Sequence, residues 1–301
     1  MKSNFEFLNR YWPALAQIGA VAESYVYSDA NACLYKLGMF GERLILEIFA
    51  FEHIKEPTID NTHANRIRLL KREGLIPKKI DDILYALRKT RNDAVHAGAD
   101  SVEDAKTLLS MTYNLAVWFM EVYGDWGYIA PAFVMPENVV QPDYESIIKE
   151  QEEKIVALSK QVEAVSTAAS TKTSKERAEK GETASESMEL SEAETRYLID
   201  EQLRKFGWEA DTNNLRYSKG TRPQKGRNLA IAEWPTDSVV GKNGYADYAL
   251  FVGLKLVGIV EAKKAAIDIP AVIDHQCKEY AKGIKAEHKE YIINQWGAYK
   301  V

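Results

Sequence analysis

Cysteine is scarce in this 301-residue chain: Cys33 and Cys277 are the two present, and they are far apart. Without a Cys-x-x-Cys spacing, the sequence favours neither a disulfide framework nor a structural zinc site, and a reducing compartment fits best. No run reaches the ~18 uninterrupted apolar residues of a membrane helix, and the first ten residues carry charges rather than an apolar core. We therefore predict a cytoplasmic protein without membrane partners.

Neither a nucleotide-binding loop nor an excess of positive charge is present. The pattern Gly-x₄-Gly-Lys-Ser/Thr does not occur, which excludes an ATP-driven motor of the phosphate-loop type from this chain. Lys and Arg number 39 against 44 Asp and Glu, so the molecule is not a polycation that coats nucleic acid indiscriminately. Hydrophobic residues make up 46% of the chain, which excludes complete disorder and suffices for one or two cores.

Aromatic residues are missing between Tyr144 and Tyr197, although both flanking regions contain them throughout. The first part of this gap, 148–165, has a short heptad stripe of Ile, Leu and Val, which predicts a helical or coiled-coil spacer. The second part, 166–187, is rich in Ser, Thr, Ala, Lys and Glu, which predicts an exposed linker. The sequence leaves open whether the spacer packs on its own domain or pairs with another chain.

The flanking regions differ in hydrophobic period. Apolar residues recur at three- and four-residue steps up to about residue 130, which predicts helices over 5–26, 31–51, 62–73, 80–95 and 102–123. Helical phase returns over 192–206, where Ser191 and Glu194 form a capping box, and two apolar runs, 245–252 and 254–260, predict a hairpin turning at Gly253. A further helix is predicted to begin at Asp268 or Ile269 and to run to Gly283 or Lys285. We predict a multidomain α and α/β protein, with an all-α bundle over 1–142, a helical or coiled-coil linker over 143–188 and an α/β domain over 189–301.

The predicted hairpin brings three charged residues together. Asp247 lies near the start of its first strand and Glu261 near the end of its second, so an antiparallel turn sets them side by side. Lys263 follows Glu261 by two residues and leaves the same face of a strand. Carboxylate oxygens suit Mg²⁺, and a lysine beside them would orient a water for phosphodiester hydrolysis. The triad alone is equally compatible with a surface hairpin that carries an ion pair.

The surroundings of the triad narrow this choice. Asp247 with Glu261-Ala262-Lys263 resembles the PD-(D/E)xK nuclease signature, although Ala246 stands where Pro is usual. Glu194-Thr195-Arg196-Tyr197 before Gly207-Trp208, and Gln276-Cys277-Lys278-Glu279-Tyr280 afterwards, resemble the nuclease domain of the R (restriction) subunit of type I restriction endonucleases. The segments 2–8 and 36–42 resemble the N-terminal helical region of the same subunits.

This resemblance implies a restriction-endonuclease-like α/β fold and a Mg²⁺-dependent DNA endonuclease, a type I site-specific deoxyribonuclease. Asp247 and Glu261 would be metal ligands and Lys263 the catalytic lysine. Gln276 and Tyr280 would support the site, and Glu194 would join the metal shell. The implied partners are double-stranded DNA and the methylase and specificity subunits. The family's ATP-driven translocase follows the point where this chain ends, so the resemblance predicts a fragment, with ATP required only by the missing motor.

A basic loop and a helix end supply two further candidate sites. The loop is predicted to follow DNA phosphates without reading bases, through Arg216, Lys219, Arg222, Lys225 and Arg227. The alternative is a solvated loop whose charges aid solubility. Arg91 and His96 resemble the Arg-x₄-His motif of HEPN domains, some of which are metal-independent RNases. The same residues also suit a helix C-terminus, so a structural or docking role is the preferred interpretation.

Two other functions stay compatible with the sequence. One is a stand-alone PD-(D/E)xK defence nuclease, which gene neighbours would distinguish from a restriction subunit. The other is a non-catalytic module in which the helical domain docks the methylase and specificity partners while the nuclease portion is inert.

Overall fold

The computed structural model describes residues 3–55, 60–138, 172–236, 244–262 and 287–288. The chain divides into two compact units, Met1–Glu194 and Thr195–Val301. The predicted heptad stripe over 148–165 and the predicted helix from Asp268 lie outside the described residues. In the part of the chain that is described, no helix combines the length and apolar character that a membrane crossing requires.

Unit 1 is helical, as predicted. A 3₁₀ turn at Glu6–Arg10 is followed by helices α1 (Pro13–Tyr25), α2 (Ala30–Phe51), α3 (His63–Arg72), α4 (Lys78–Ala97) and α5 (Val102–Phe119), and a π-helical turn at Met120–Gly124 extends α5. Helix α2 packs against α1, α4 and α5. The core between them contains fully buried Phe5, Phe40, Trp118 and Phe119.

The helix boundaries follow local chemistry that the sequence displays. Asp29 caps α2 by accepting a hydrogen bond from the Ala32 amide, and Ser101 caps α5 by accepting one from the Asp104 amide. Gly98 ends α4 in the left-handed conformation, with φ 66°. Pro13 occupies the first position of α1, which is why the predicted helix over 5–26 is interrupted there.

Part of the predicted exposed linker is a packed helix, which corrects that expectation. Helix α6 (Ser174–Ser187) begins with a capping box between Thr173 and Glu176. It buries Arg177, Gly181, Ala184 and Ser185. The indole nitrogen of Trp118 donates to the Gly181 carbonyl at 2.9 Å. Small residues let α6 approach the bundle closely, so the segment packs without large apolar side chains of its own.

Unit 2 contains a mixed four-stranded sheet in the order β1 (Glu209–Ala210), β2 (Asn228–Thr236), β3 (Gly244–Val252) and β4 (Lys255–Val260). Strand β1 is parallel to β2, and the other pairs are antiparallel. The predicted hairpin is therefore confirmed, with Gly253 at φ 60° between its strands. The predicted helix over 192–206 is α7 (Glu192–Lys205).

Each face of the sheet has its own apolar cluster. One cluster contains Leu229, Ile231, Trp234, Ala249, Phe251 and Leu256. The other joins Ala230, Ala232 and Tyr248 to Leu203 of α7 and to Ala210. The sheet is consequently buried on both sides, and polar side chains within its strands are exceptions that need partners.

Candidate active site

The hairpin carries one predicted acidic residue, Asp247, within β3 and the other, Glu261, directly after the end of β4. Tyr248 of β3 pairs with Val260 of β4, so continuing the register by one residue sets Asp247 opposite Glu261. Directly opposite residues of antiparallel strands share a face of the sheet. The amide of Ala262 donates to Asp247 Oδ2 at 2.7 Å, so the chain after β4 still runs beside β3. The two acids that the sequence singled out thus lie together.

Helix α7 contributes a positive charge to the same place. Nη2 of Arg196 lies 3.3 Å from Asp247 Oδ1, and the two side chains are 16% and 21% exposed. Asp247 is therefore held on one oxygen by the chain after β4 and on the other by the helix. Because the ion pair is sheltered, solvent screens it only weakly. The two contacts together fix the direction in which the carboxylate points.

Sequence reasoning missed Glu233, which belongs to the same network. Its Oε1 lies 3.1 Å from Nη1 of Arg216 and 4.0 Å from Nη2 of Arg196. Glu233 is the single charged residue within β2, Asn-Leu-Ala-Ile-Ala-Glu-Trp-Pro-Thr, and is the one partly exposed residue in the interior of that strand. An isolated charge in an otherwise apolar strand is the signal that would have identified it.

The backbone at Glu233 departs from regular strand geometry. Its φ is 52°, a left-handed value that is uncommon for residues other than glycine, asparagine and aspartate. Leu229 and Ile231 belong to one apolar cluster and Ala230 and Ala232 to the other, yet Trp234 joins the cluster of Leu229 and Ile231. The strand's two-residue alternation is broken at Glu233, and this leaves its carboxylate beside the two arginines.

The donor set fits a divalent cation that retains much of its water. Asp247 and Glu261 supply carboxylate oxygens from adjacent strands, and Mg²⁺ is usually held by one or two carboxylates together with water and phosphate oxygens. Within the described ranges, no group of three or more His, Cys, Asp or Glu is arranged to hold a metal. The predicted Lys263, Gln276 and Tyr280 lie outside the described residues.

Glu194 has local partners within unit 1. Its Oε2 accepts a hydrogen bond from the Ser191 amide at 2.7 Å, and Ser191 Oγ accepts one from the Glu194 amide at 3.2 Å. The predicted capping box is thus confirmed. The other carboxylate oxygen accepts from Nδ2 of Asn114 at 3.2 Å, and the residue is 2% exposed. A role for Glu194 in a metal shell stays a prediction.

The predicted DNA-binding loop contains both engaged and solvated cations. Arg216 pairs with Glu233, and Arg227 forms a fork with Glu209, its Nε 3.0 Å from each carboxylate oxygen. The guanidinium of Arg222 stacks 3.7 Å over the ring of Tyr217. Lys219 and Lys225 are exposed. The loop therefore offers the charges of its lysines directly, whereas a phosphate must compete with glutamates for two of its arginines.

The predicted HEPN motif is split between a packed and an exposed residue. Arg91 forms an ion pair with Glu42 and lies 5.3 Å over the ring of Tyr35. His96 is exposed in the last turn of α4. A different histidine in unit 1 has the perturbed environment, because burial and nearby Arg88, Arg91 and Arg66 outweigh Glu42 and lower the pKa of His63 to about 4. A catalytic role for Arg91 and His96 stays a prediction.

Comparison with known proteins found similarity over most of the chain. A family model described as the second domain of the type I restriction enzyme EcoKI endonuclease subunit matches residues 209–300, which include Asp247 and Glu261. The chain is similar to part of a type I restriction endonuclease subunit. The EcoKI endonuclease subunit of Escherichia coli (strain K12) is 33% identical to it over an alignment of 333 residues.

The alignment with the EcoKI subunit covers 93% of this chain but 28% of that protein, so the chain spans little more than a quarter of its relative. The resemblance to restriction subunits that the motifs predicted is thereby confirmed. Residues 21–165 match a second family model, described as a domain of unknown function (DUF4145). No solved structure was found to match the chain.

Proposed function

We propose that this chain is the DNA-cleaving portion of a type I restriction endonuclease R subunit, with a PD-(D/E)xK-type site in unit 2. The observation that carries the proposal is the register of the hairpin, in which Tyr248 pairs with Val260 and the Ala262 amide donates to Asp247. Extending this register by one residue sets Asp247 opposite Glu261. Similarity to the EcoKI endonuclease subunit supports the same reaction class, phosphodiester hydrolysis.

The residues would divide the work as follows. Asp247 and Glu261 would hold Mg²⁺ through carboxylate oxygens, and Lys263 would orient the attacking water. Bound Mg²⁺ would neutralise charge on the phosphate oxygens and lower the pKa of the water. Gln276, Tyr280 and Glu194 are assigned supporting roles by the family resemblance alone.

DNA contact is assigned to the basic loop of unit 2. Lys219 and Lys225 offer exposed ammonium groups, and the arginines at 216, 222 and 227 add to the same segment. Contacts of this kind neutralise backbone phosphates without reading base edges. We therefore propose double-stranded DNA as the substrate, bound here without sequence preference, while target choice comes from a specificity subunit and ATP acts only at a separate motor.

The test is cleavage of supercoiled plasmid by the purified chain with Mg²⁺ or Mn²⁺. Wild type is expected to nick the plasmid, whereas Asp247→Asn and Glu261→Gln should each reduce the rate by at least about a hundredfold, comparable with removal of a major electrostatic group from an active site. Glu179→Gln, which removes a carboxylate from an exposed pair with Lys175, serves as the matched control. Equal cleavage by all variants, or an intact plasmid with wild type, would contradict the proposal.

A further inference from the structure

One guanidinium in unit 2 is shared by two carboxylates. Nη2 of Arg196 lies 3.3 Å from Oδ1 of Asp247 and 4.0 Å from Oε1 of Glu233. The same Glu233 oxygen lies 3.1 Å from Nη1 of Arg216. These contacts form a chain of alternating charge, Asp247, Arg196, Glu233 and Arg216, which ends in the basic loop.

Arg196 and a divalent cation would compete for the carboxylate of Asp247. In the structure, the guanidinium balances the charge of the carboxylate from within hydrogen-bonding range of Oδ1. A cation bound to that oxygen would stand a few ångströms from the guanidinium and would repel it. A cation at Oδ1 of Asp247 would therefore favour movement of Arg196 away from this oxygen.

Glu233 is placed to receive Arg196. Its Oε1 lies 4.0 Å from the same Nη2 that lies 3.3 Å from Oδ1 of Asp247, so a small movement of the arginine side chain toward Glu233 would strengthen one ion pair as it breaks the other. The charge of Arg196 then remains compensated within the sheltered site. Without Glu233, an Arg196 displaced from Asp247 would lose this compensating charge, which is costly for a poorly solvated cation.

We propose that Arg196 is the resident counter-ion of Asp247 and that it transfers to Glu233 when Asp247 binds a divalent cation. The proposal rests on the metal-dependent function above and adds two positioning residues to it. Arg196 and Glu233 act by setting the cation affinity and orientation of Asp247, and neither is a metal ligand.

The test is a double-mutant cycle on Mn²⁺ affinity, measured on the full chain without DNA from the electron paramagnetic resonance of free Mn²⁺. Arg196→Gln removes the competitor and should tighten binding about tenfold, whereas Glu233→Gln removes the acceptor and should weaken binding about fivefold or more. In the Arg196→Gln background, Glu233→Gln should change the affinity by less than about twofold, because the residue that transfers between the two carboxylates is already gone.

The controls separate this transfer from general charge effects. Lys205→Gln removes a positive charge from the same helix, and Glu209→Gln removes a negative charge from the same sheet; both should leave Mn²⁺ affinity within about twofold of wild type. Arg196→Lys retains the competing charge and should bind Mn²⁺ nearly as wild type does, which guards against a folding defect in Arg196→Gln. Thermal unfolding of each variant reports that the fold is kept.

Two failures of the experiment are distinguishable. If Asp247→Asn leaves Mn²⁺ binding unchanged, the metal-dependent function is wrong and the transfer falls with it. If binding depends on Asp247 but Glu233→Gln weakens it equally in both backgrounds, Glu233 acts directly and the transfer alone is wrong. The transfer would also be wrong if Arg196→Gln bound Mn²⁺ more weakly than wild type while its thermal unfolding was unchanged.

Discussion

Gly19 shows how closely a single residue can be constrained in the helical unit. A Cβ at this position would lie 2.3 Å from Cγ of Phe5, whose ring is fully buried and packs against Phe40 and Tyr113. We expect Gly19→Ala to lower the free energy of unfolding by about 1–3 kcal/mol, because the ring has no space into which to move. Thermal or denaturant unfolding measures this change.

The matched control is Gly181→Ala in α6. A Cβ there would meet the ring of Trp118 at 3.5 Å, which is ordinary van der Waals contact. Alanine also favours a helix over glycine by up to about 1 kcal/mol, so this variant should be neutral or more stable. Equal destabilisation by both substitutions would show that the close approach of Phe5 does not set the requirement at Gly19.

At the scale of elements, α6 depends on one buried ion pair. Arg177 donates from Nε to Glu52 at 2.5 Å, and the two side chains are 7% and 1% exposed. Removing the guanidinium with Arg177→Met leaves a buried carboxylate without its counter-ion, which costs about 3–5 kcal/mol in comparable cases. We expect amides of α6 to exchange with solvent faster in this variant, measured by hydrogen exchange. Lys175→Met, at an exposed lysine of the same helix, should leave exchange unchanged.

The same pair makes the docking of α6 sensitive to acid. Burial tends to raise the pKa of Glu52, but hydrogen bonds from Arg177 and Ser174 outweigh it and hold the pKa below the ordinary value of 4.5. A lowered pKa in the folded state stabilises the protein at higher pH, and this contribution is lost as the pH falls below about 4.5. Protection of α6 in wild type should therefore decline there, whereas Arg177→Met should show a smaller change over the same range.

The elements differ in how far the sequence predicted them. Helices α2, α4 and α5 and the hairpin were predictable because caps such as Asp29 and Ser101 and the turn at Gly253 act locally. Helix α6 was not, because its burial depends on Trp118 and Glu52, which are more than 60 residues away in the sequence. Polar composition describes a segment's own side chains and carries no information about such distant partners.

The residues of the candidate site also differ in whether the sequence predicts their positions. Asp247 and Glu261 were predictable from hairpin spacing, since the register between adjacent strands follows from the turn. Arg196 and Glu233 were not assigned to the site, because their places depend on α7 lying beside the sheet and on the left-handed backbone of Glu233. These are properties of tertiary structure.

At the scale of the whole molecule, two units with different physical characters share one chain. Unit 1 is a helical bundle whose motif residue Arg91 is held by Glu42, and unit 2 is a small mixed sheet with charged residues gathered at one place. Similarity to the EcoKI endonuclease subunit extends over both units. The sheet of unit 2 carries the chemistry proposed for the chain, and the HEPN-type activity and the docking of methylase and specificity subunits by unit 1 remain predictions.

The most direct test of the account is anomalous X-ray scattering from crystals of the chain soaked in Mn²⁺. We expect a peak about 2.2 Å from carboxylate oxygens of both Asp247 and Glu261, a typical distance for a small hard cation. Bound Mn²⁺ should be accompanied by separation of Arg196 from Asp247. A peak elsewhere, with Asp247 still paired to Arg196 at saturating Mn²⁺, would contradict the claim that these two acids form a metal-binding nuclease site.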